Sequence, residues 1–308
     1  MSKKKPDTVS GVLIINKHAG VTSHRIISSC RKLYDTPRVG HTGTLDPMAT
    51  GVLPLFFGNA TKALSVLPDE DKAYVAEVFF GVTTATEDMT GEILAKTDSR
   101  VTEQEFTVLF PRFCGEIEQI PPMVSAVKVG GQPLYKLARQ GKEIEREART
   151  VSVYAINLLE FDEETQKAKI EVSCGKGTYI RTLIADMGKA LGCGAAMGKL
   201  RRTKAGSFCL SDCLTIGEVC ERMENGTLEE ALLPIERLFE HLPKLVLNDF
   251  DEHLYRNGVP LELQKRGWEI ISGTVAVYNK KGEILGLSEM DEKQNELTLI
   301  KLFRSNND

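Results

Sequence analysis

No apolar run in this 308-residue chain reaches the ~18 residues that a bilayer-spanning helix needs. The lysines at 3–5 precede an apolar stretch at 12–15 far too short for a signal-peptide core, so a cytoplasmic protein is expected. Seven cysteines, an odd number without small-scaffold spacing, fit reduced thiols better than a disulfide framework. Cys209 and Cys213 have no second ligand pair at zinc-site spacing, and the five histidines form no paired ligand motif. The stretch 192–199 resembles a phosphate loop only superficially, because Cys193 stands where its first glycine belongs and Leu200 follows Lys199. There is no internal repeat and no basic excess: the net charge is −4, which argues against an indiscriminate nucleic-acid binder.

Composition is that of an ordinary soluble protein, 42% hydrophobic and 27% charged, and the length accommodates one large domain plus a small one. Residues 11–17 read as a strand. Ser23 reads as the N-cap of a helix whose apolar face is Ile26, Ile27, Cys30 and Leu33. Residues 51–57 read as a short buried strand and Asn59 as the cap of a helix running through Leu67. A strand follows at 74–80, and Thr102 with Glu105 has capping-box spacing before another helix. Strands are expected at 151–161 and 168–174, then a helix opened by Thr178 and stopped at Gly192. Strands do not alternate one-for-one with helices, which favours an α+β fold with a mixed, mainly antiparallel sheet. Short segments at 259–263, 274–278, 284–288 and 296–303, with a turn at Asn279-Lys280-Lys281-Gly282, read as a small β-rich C-terminal unit.

The most informative segment is Gly40-His41-Thr42-Gly43-Thr44-Leu45-Asp46-Pro47-Met48-Ala49-Thr50-Gly51-Val52-Leu53-Pro54. Pro47 pushes Asp46 toward extended geometry, and the glycines permit tight turns and close approach by a ligand. That is a presented carboxylate; Asp-Pro by itself would mark no more than a turn. Whole, the segment resembles the catalytic motif of the TruB family of tRNA pseudouridine-55 synthases, with Asp46 at the catalytic position. The resemblance continues through Gly11-Val12-Leu13-Ile14-Ile15-Asn16-Lys17 with Gly20 and Ser23, then Lys72-Ala73-Tyr74, then the stretch from Gly115-Glu116-Ile117 to Pro121-Pro122-Met123-Val124-Ser125-Ala126. Lys176-Gly177-Thr178-Tyr179-Ile180-Arg181-Thr182 and Leu200-Arg201-Arg202 complete it in the family's order. The family commonly has Asp-Lys-Pro where this chain has Asn16-Lys17-His18.

The resemblance implies a pseudouridine-synthase fold at 1–243, an RNA-clamping insertion at about 128–150, and a PUA-like RNA-binding domain at 244–308. It implies isomerisation of uridine 55 in the T loop of tRNA: the N1–C1′ bond breaks, the base turns, and C5 joins C1′. No group enters or leaves, so no cofactor or metal is expected. Asp46 serves as nucleophile at C1′ or at C6, or as a base toward a glycal. Arg181 is its guanidinium partner, and Tyr74 stacks on the uracil or accepts a proton. His41 fills the space the extruded base leaves, Tyr179 and Leu200 line the pocket, and Lys17 belongs to the substrate-binding set. Phosphates are expected to meet Arg139 and Lys142 of the insertion, whose six basic residues outnumber three acids, and Lys199, Arg201, Arg202 and Lys204. The expected partner is the tRNA T-arm stem-loop, bound by a monomer with no obligate protein partner and no membrane association. The other readings are a catalytically inactive RNA-binding or tRNA-folding module and an aspartate-dependent glycoside hydrolase. The latter usually needs a second acid that no motif supplies.

Overall fold

The computed structural model describes residues 9–67, 70–269, 273–291, 293 and 295–303; the basic residues at 3–5 lie outside them. The chain divides into two compact units, one formed by residues 1–47, 52–69 and 211–308, the other by 48–51 and 70–210.

In the first unit the strand Gly11–Lys17 is buried along almost its whole length, as its apolar sequence demands. It neighbours the strand Thr50–Phe57, on which Val39–His41 pairs antiparallel. The helix Ser23–Leu33 buries Ile26, Ile27 and Cys30, but its N-cap is Thr22, whose hydroxyl accepts from the Arg25 amide. Ser23 is therefore free of capping and points inward. Asn59 caps nothing: Gly58–Ser65 is a 3₁₀ helix entered from Phe57 without a side-chain cap, and it stops short of Leu67.

The C-terminal β-rich part of this unit is a five-stranded sheet in the order Lys244–Val246, Gly273–Tyr278, Ile284–Asp291, Glu296–Leu302, Leu261–Glu262. The first pair is parallel and the rest are antiparallel. Its core contains Leu247, Tyr255, Val275, Val277, Leu285 and Leu297, with Trp268 packed at the margin. Compactness does not break at residue 243. Phe303 stacks on Phe239 at 5.3 Å, Lys62 Nζ donates to the Phe303 carbonyl at 2.9 Å, and the Ile284 amide donates to Glu236 at 3.2 Å.

The second unit is built on antiparallel strands ordered Ala195–Ala205, Lys72–Phe80, Lys167–Cys174, Arg149–Asp162, Gly115–Gln119. Thr50 and Gly51 add a parallel pairing to Arg201 and Arg202, so the sheet is mixed and mainly antiparallel, the expected α+β arrangement. The strand Lys72–Phe80 alternates buried and half-buried residues, the period of two that places Lys72, Tyr74, Ala76, Val78 and Phe80 on one face. Thr102 and Glu105 form the full capping box, and Phe106 meets Phe80 and Phe110 edge-on. The helix Ile180–Ala190 begins after Tyr179 rather than at Thr178, whose hydroxyl donates to the Gly175 carbonyl, and Gly192 past its end adopts φ +74°.

Candidate active site

Asp46 is half-buried in a loop of the first unit whose backbone is tied on both sides. The Ser23 hydroxyl donates to the Leu45 carbonyl at 3.0 Å and accepts from the Leu45 amide at 2.8 Å. After the aspartate, Pro47 offers its carbonyl to the Gly20 amide at 2.9 Å and to Lys17 Nζ at 3.2 Å. Lys17 also donates to the His18 carbonyl and is 0% exposed, so it braces the loop from beneath instead of standing at a substrate surface. His41 is half-buried, with Nδ1 accepting from the Gly43 amide at 3.2 Å, which fixes the tight entry to the loop. The Thr42 hydroxyl is buried with no hydrogen-bond partner among the described residues.

In the second unit Arg181 is buried at the start of its helix, and its guanidinium is held by acceptors that include two carbonyls and a carboxylate. Nη1 donates to the Thr86 carbonyl at 3.2 Å, Nη2 donates to the Val124 carbonyl at 3.0 Å, and Nη1 lies 3.7 Å from Asp88 Oδ2. The Asp88 carboxylate in turn accepts from Thr86 Oγ1, the Thr90 amide and Thr90 Oγ1 at 2.9, 2.9 and 2.5 Å. A buried charge without such partners would cost several kcal/mol, on the order of 3–5 for a broken pair. Neighbouring Glu87 adopts φ +64° and accepts from Thr182 at 2.6 Å; burial pushes its carboxyl above the ordinary range. Asp88 and the Val124 carbonyl are parts of the site that motif reading does not identify. Asp88 lies between threonines in a loop with no periodic signal, and a carbonyl has no side-chain signature.

Tyr179 is half-buried, its backbone clamped by the Gln119 side chain, which accepts from the Tyr179 amide at 3.0 Å and donates to its carbonyl at 3.2 Å. Tyr74 and Leu200 are buried on neighbouring strands. Gly51 is obligatory here: its φ is +103°, and a Cβ would lie 2.1 Å from the Arg202 carbonyl oxygen.

The basic stretch from Lys199 to Lys204 is part of a strand, and its alternation separates the charges. Lys199, Arg201 and Lys204 are exposed, whereas Arg202 is 1% exposed and cannot belong to a phosphate-facing surface. In the insertion, Lys128–Val129 and Gln132–Pro133 form a hairpin closed by Gly130 and Gly131, both left-handed, followed by the short helix Leu134–Ala138. Arg139 and Lys142 are exposed beyond it, Arg139 lying 5.7 Å from the Tyr135 ring centre. No helix among the described residues is long and apolar enough to cross a membrane, and no three described His, Cys, Asp or Glu residues form a metal-holding group.

Comparison with known proteins matches residues 31–180 to the N-terminal domain of the TruB family pseudouridylate synthases and residues 181–240 to the tRNA pseudouridylate synthase B C-terminal domain. A tRNA pseudouridine synthase B from Bacillus pumilus (strain SAFR-032) is 45% identical over 302 residues, 96% of this chain and 98% of that protein. One from Pseudomonas aeruginosa (strain UCBPP-PA14) is 43% identical over 292 residues, 92% of this chain and 93% of that protein. Among solved structures, a chain of a Cbf5-Nop10-Gar1 complex superimposes with a TM-score of 0.71 at 28% identity, covering 96% of this chain and 86% of that one.

Proposed function

The chain belongs to the TruB family of pseudouridylate synthases, and we propose that it isomerises uridine 55 in the T loop of tRNA to pseudouridine. The observation that carries this reading is Asp46: a half-buried carboxylate between two pinned residues, Leu45 and Pro47, inside an intact Gly40–Pro54 motif. An ionised aspartate so held can add to C1′ and expel the uracil, attack C6, or remove a proton on the way to a glycal. Arg181 serves as its guanidinium partner, and the charge of Asp88 keeps that guanidinium oriented. Tyr74 stacks on the uracil and accepts the proton that leaves C5. A uridine stacked in a folded loop cannot meet a carboxylate, so it is extruded, with His41 filling the space it vacates. Leu200 and Tyr179 form the walls of the base pocket.

Phosphates meet the exposed Arg139 and Lys142 of the insertion and Lys199, Arg201 and Lys204 of the strand. The segment beyond residue 243 places the tRNA rather than performing chemistry, because every candidate catalytic residue lies at or before Leu200. The protein acts on the T-arm stem-loop as a cytoplasmic monomer.

The test is to incubate the purified chain with an unmodified T-arm stem-loop and no added cofactor, then map pseudouridine by mass spectrometry. Conversion at position 55 alone is expected. Asp46→Asn should bind the same RNA and lose turnover by on the order of 10⁴-fold or more. Conversion elsewhere, or near-normal turnover by the asparagine variant, would remove the assignment.

A further inference from the structure

Arg202 belongs to a basic run in the sequence, yet the structure buries it almost completely, and the proposed function gives it no part. It stands directly opposite Tyr74 in the antiparallel pairing of Ala195–Ala205 with Lys72–Phe80. Residues paired in this way share a face of the sheet, with Cβ atoms ~4.5–5.5 Å apart. Tyr74 is itself only 7% exposed, so the two side chains share a low-dielectric environment in which charge acts strongly.

The other charged and titratable groups about this face can be named. Lys72 is buried two residues along from Tyr74; burial chiefly, and then the Arg202 guanidinium, hold its ammonium below the ordinary lysine range. Glu70 and Asp71 act on Lys72 in the opposite sense. On the third strand Cys174 lies opposite Lys72, its thiol pushed up to about 11 by burial, and apolar Val172 lies opposite Tyr74. The helix Ile180–Ala190, packed against both strands, brings Arg181 with its acid Asp88. The charged residue directly opposite Tyr74 in the pairing register is Arg202.

We infer that Arg202 is a positioning residue for the reaction, its buried guanidinium favouring the phenolate of Tyr74, the form that accepts the proton from C5. This rests on the proposed role of Tyr74 as proton acceptor. In that step the C5–H bond breaks after C5 has joined C1′, and the proton passes to the phenolate oxygen. The freed electron pair becomes the C5=C6 double bond, and the pair displaced onto N1 takes a proton from water. Nothing is oxidised or reduced. An opposite charge within ~4–6 Å typically moves a titration by one to three pH units, enough to bring a phenol toward a useful base.

The test is a titration of Tyr74 in the full RNA-free chain, followed by NMR of ¹³Cζ-labelled tyrosine and assigned among the seven tyrosines with Tyr74→Phe. Arg202→Met should raise the Tyr74 midpoint by roughly one to two pH units, and Arg202→Lys, which keeps the charge, by less than half as much. The acidic limb of the kcat profile should move to higher pH by the same amount in Arg202→Met. A midpoint within about 0.3 unit of the unsubstituted protein overturns the inference. Should Arg202→Met not fold, the unsubstituted protein decides: a Tyr74 midpoint below the ordinary value of ~10 supports the inference, and one at or above it overturns it. Because the titration is read without RNA, an unmoved midpoint defeats the role of Arg202 and leaves Tyr74 as acceptor untouched. A moved midpoint with an unmoved kcat limb defeats Tyr74 as acceptor, and with it the part of Arg202 in the reaction.

Discussion

Asp46 and Arg181 are anchored by different means. The segment around Asp46 is held through its backbone: Ser23 grips both polar groups of Leu45, Lys17 and Gly20 hold the Pro47 carbonyl, and the carboxylate between them keeps partial access to solvent. Arg181 is held through its side chain, buried among two carbonyls and an acid that is itself saturated by threonines. A group that must change its bonding during a reaction benefits from neighbours whose backbone is fixed. A group that must keep one charge in one place benefits from a network about the head itself.

The largest effect expected from this contrast is on the networked side. Arg181→Lys should lose on the order of 10²–10³-fold in kcat, because an ammonium cannot reproduce a planar fork shared among several acceptors. Asp88→Asn should lose less while leaving KM for RNA nearly unchanged; normal turnover in both variants would break the contrast. Next comes the backbone-held side. Ser23→Ala leaves the Leu45 amide and carbonyl without their buried partner, which should cost ~1–3 kcal/mol in urea unfolding and about tenfold in kcat. A loss of stability with unchanged kcat would show that the loop does not need its clamp. The smallest effect belongs to groups held by neither device: replacing exposed Arg139 and Lys142 with alanine should weaken RNA binding and reduce the slope of log affinity against log salt by roughly 1–2. An unchanged slope would assign the insertion to plain solvated surface.

Much of this was legible in the sequence where a pattern has a period or a cap. The strand at 11–17 formed as read, the strand read at 74–80 begins two residues earlier at Lys72, and the Thr102–Glu105 box formed as its spacing required. Thr22 took the cap in place of Ser23 because both are competent caps and only the tertiary demand of Leu45 for Ser23 decides between them. The strand Ala195–Ala205 was hidden because Gly198 and four basic residues mask its alternation, and so Arg202 read as one more surface charge. Lys17 entered the substrate-binding set through the resemblance alone, and a lysine is seldom buried, so no pattern in the sequence announced that it donates to two carbonyls of the fold. The parallel edge strand Lys244–Val246 is three residues long and carries no usable periodicity. Asp88 was invisible because its significance lies in partners that are distant in sequence.

The hydrogen bond from Lys62 to the Phe303 carbonyl, with Phe303 stacked on Phe239, spans 241 positions of chain. At ~5–20 residues per second, a ribosome needs roughly 12–50 s to travel that distance. During that interval the segment bearing Asp46 has emerged while its unit still lacks the aromatic ring that closes one of its contacts. The residues at 70–210 gather into a unit of nearly continuous sequence and can condense long before then. The order of synthesis thus makes the sheet carrying Tyr74 and the helix carrying Arg181 early, and the closure of the unit that holds Asp46 late.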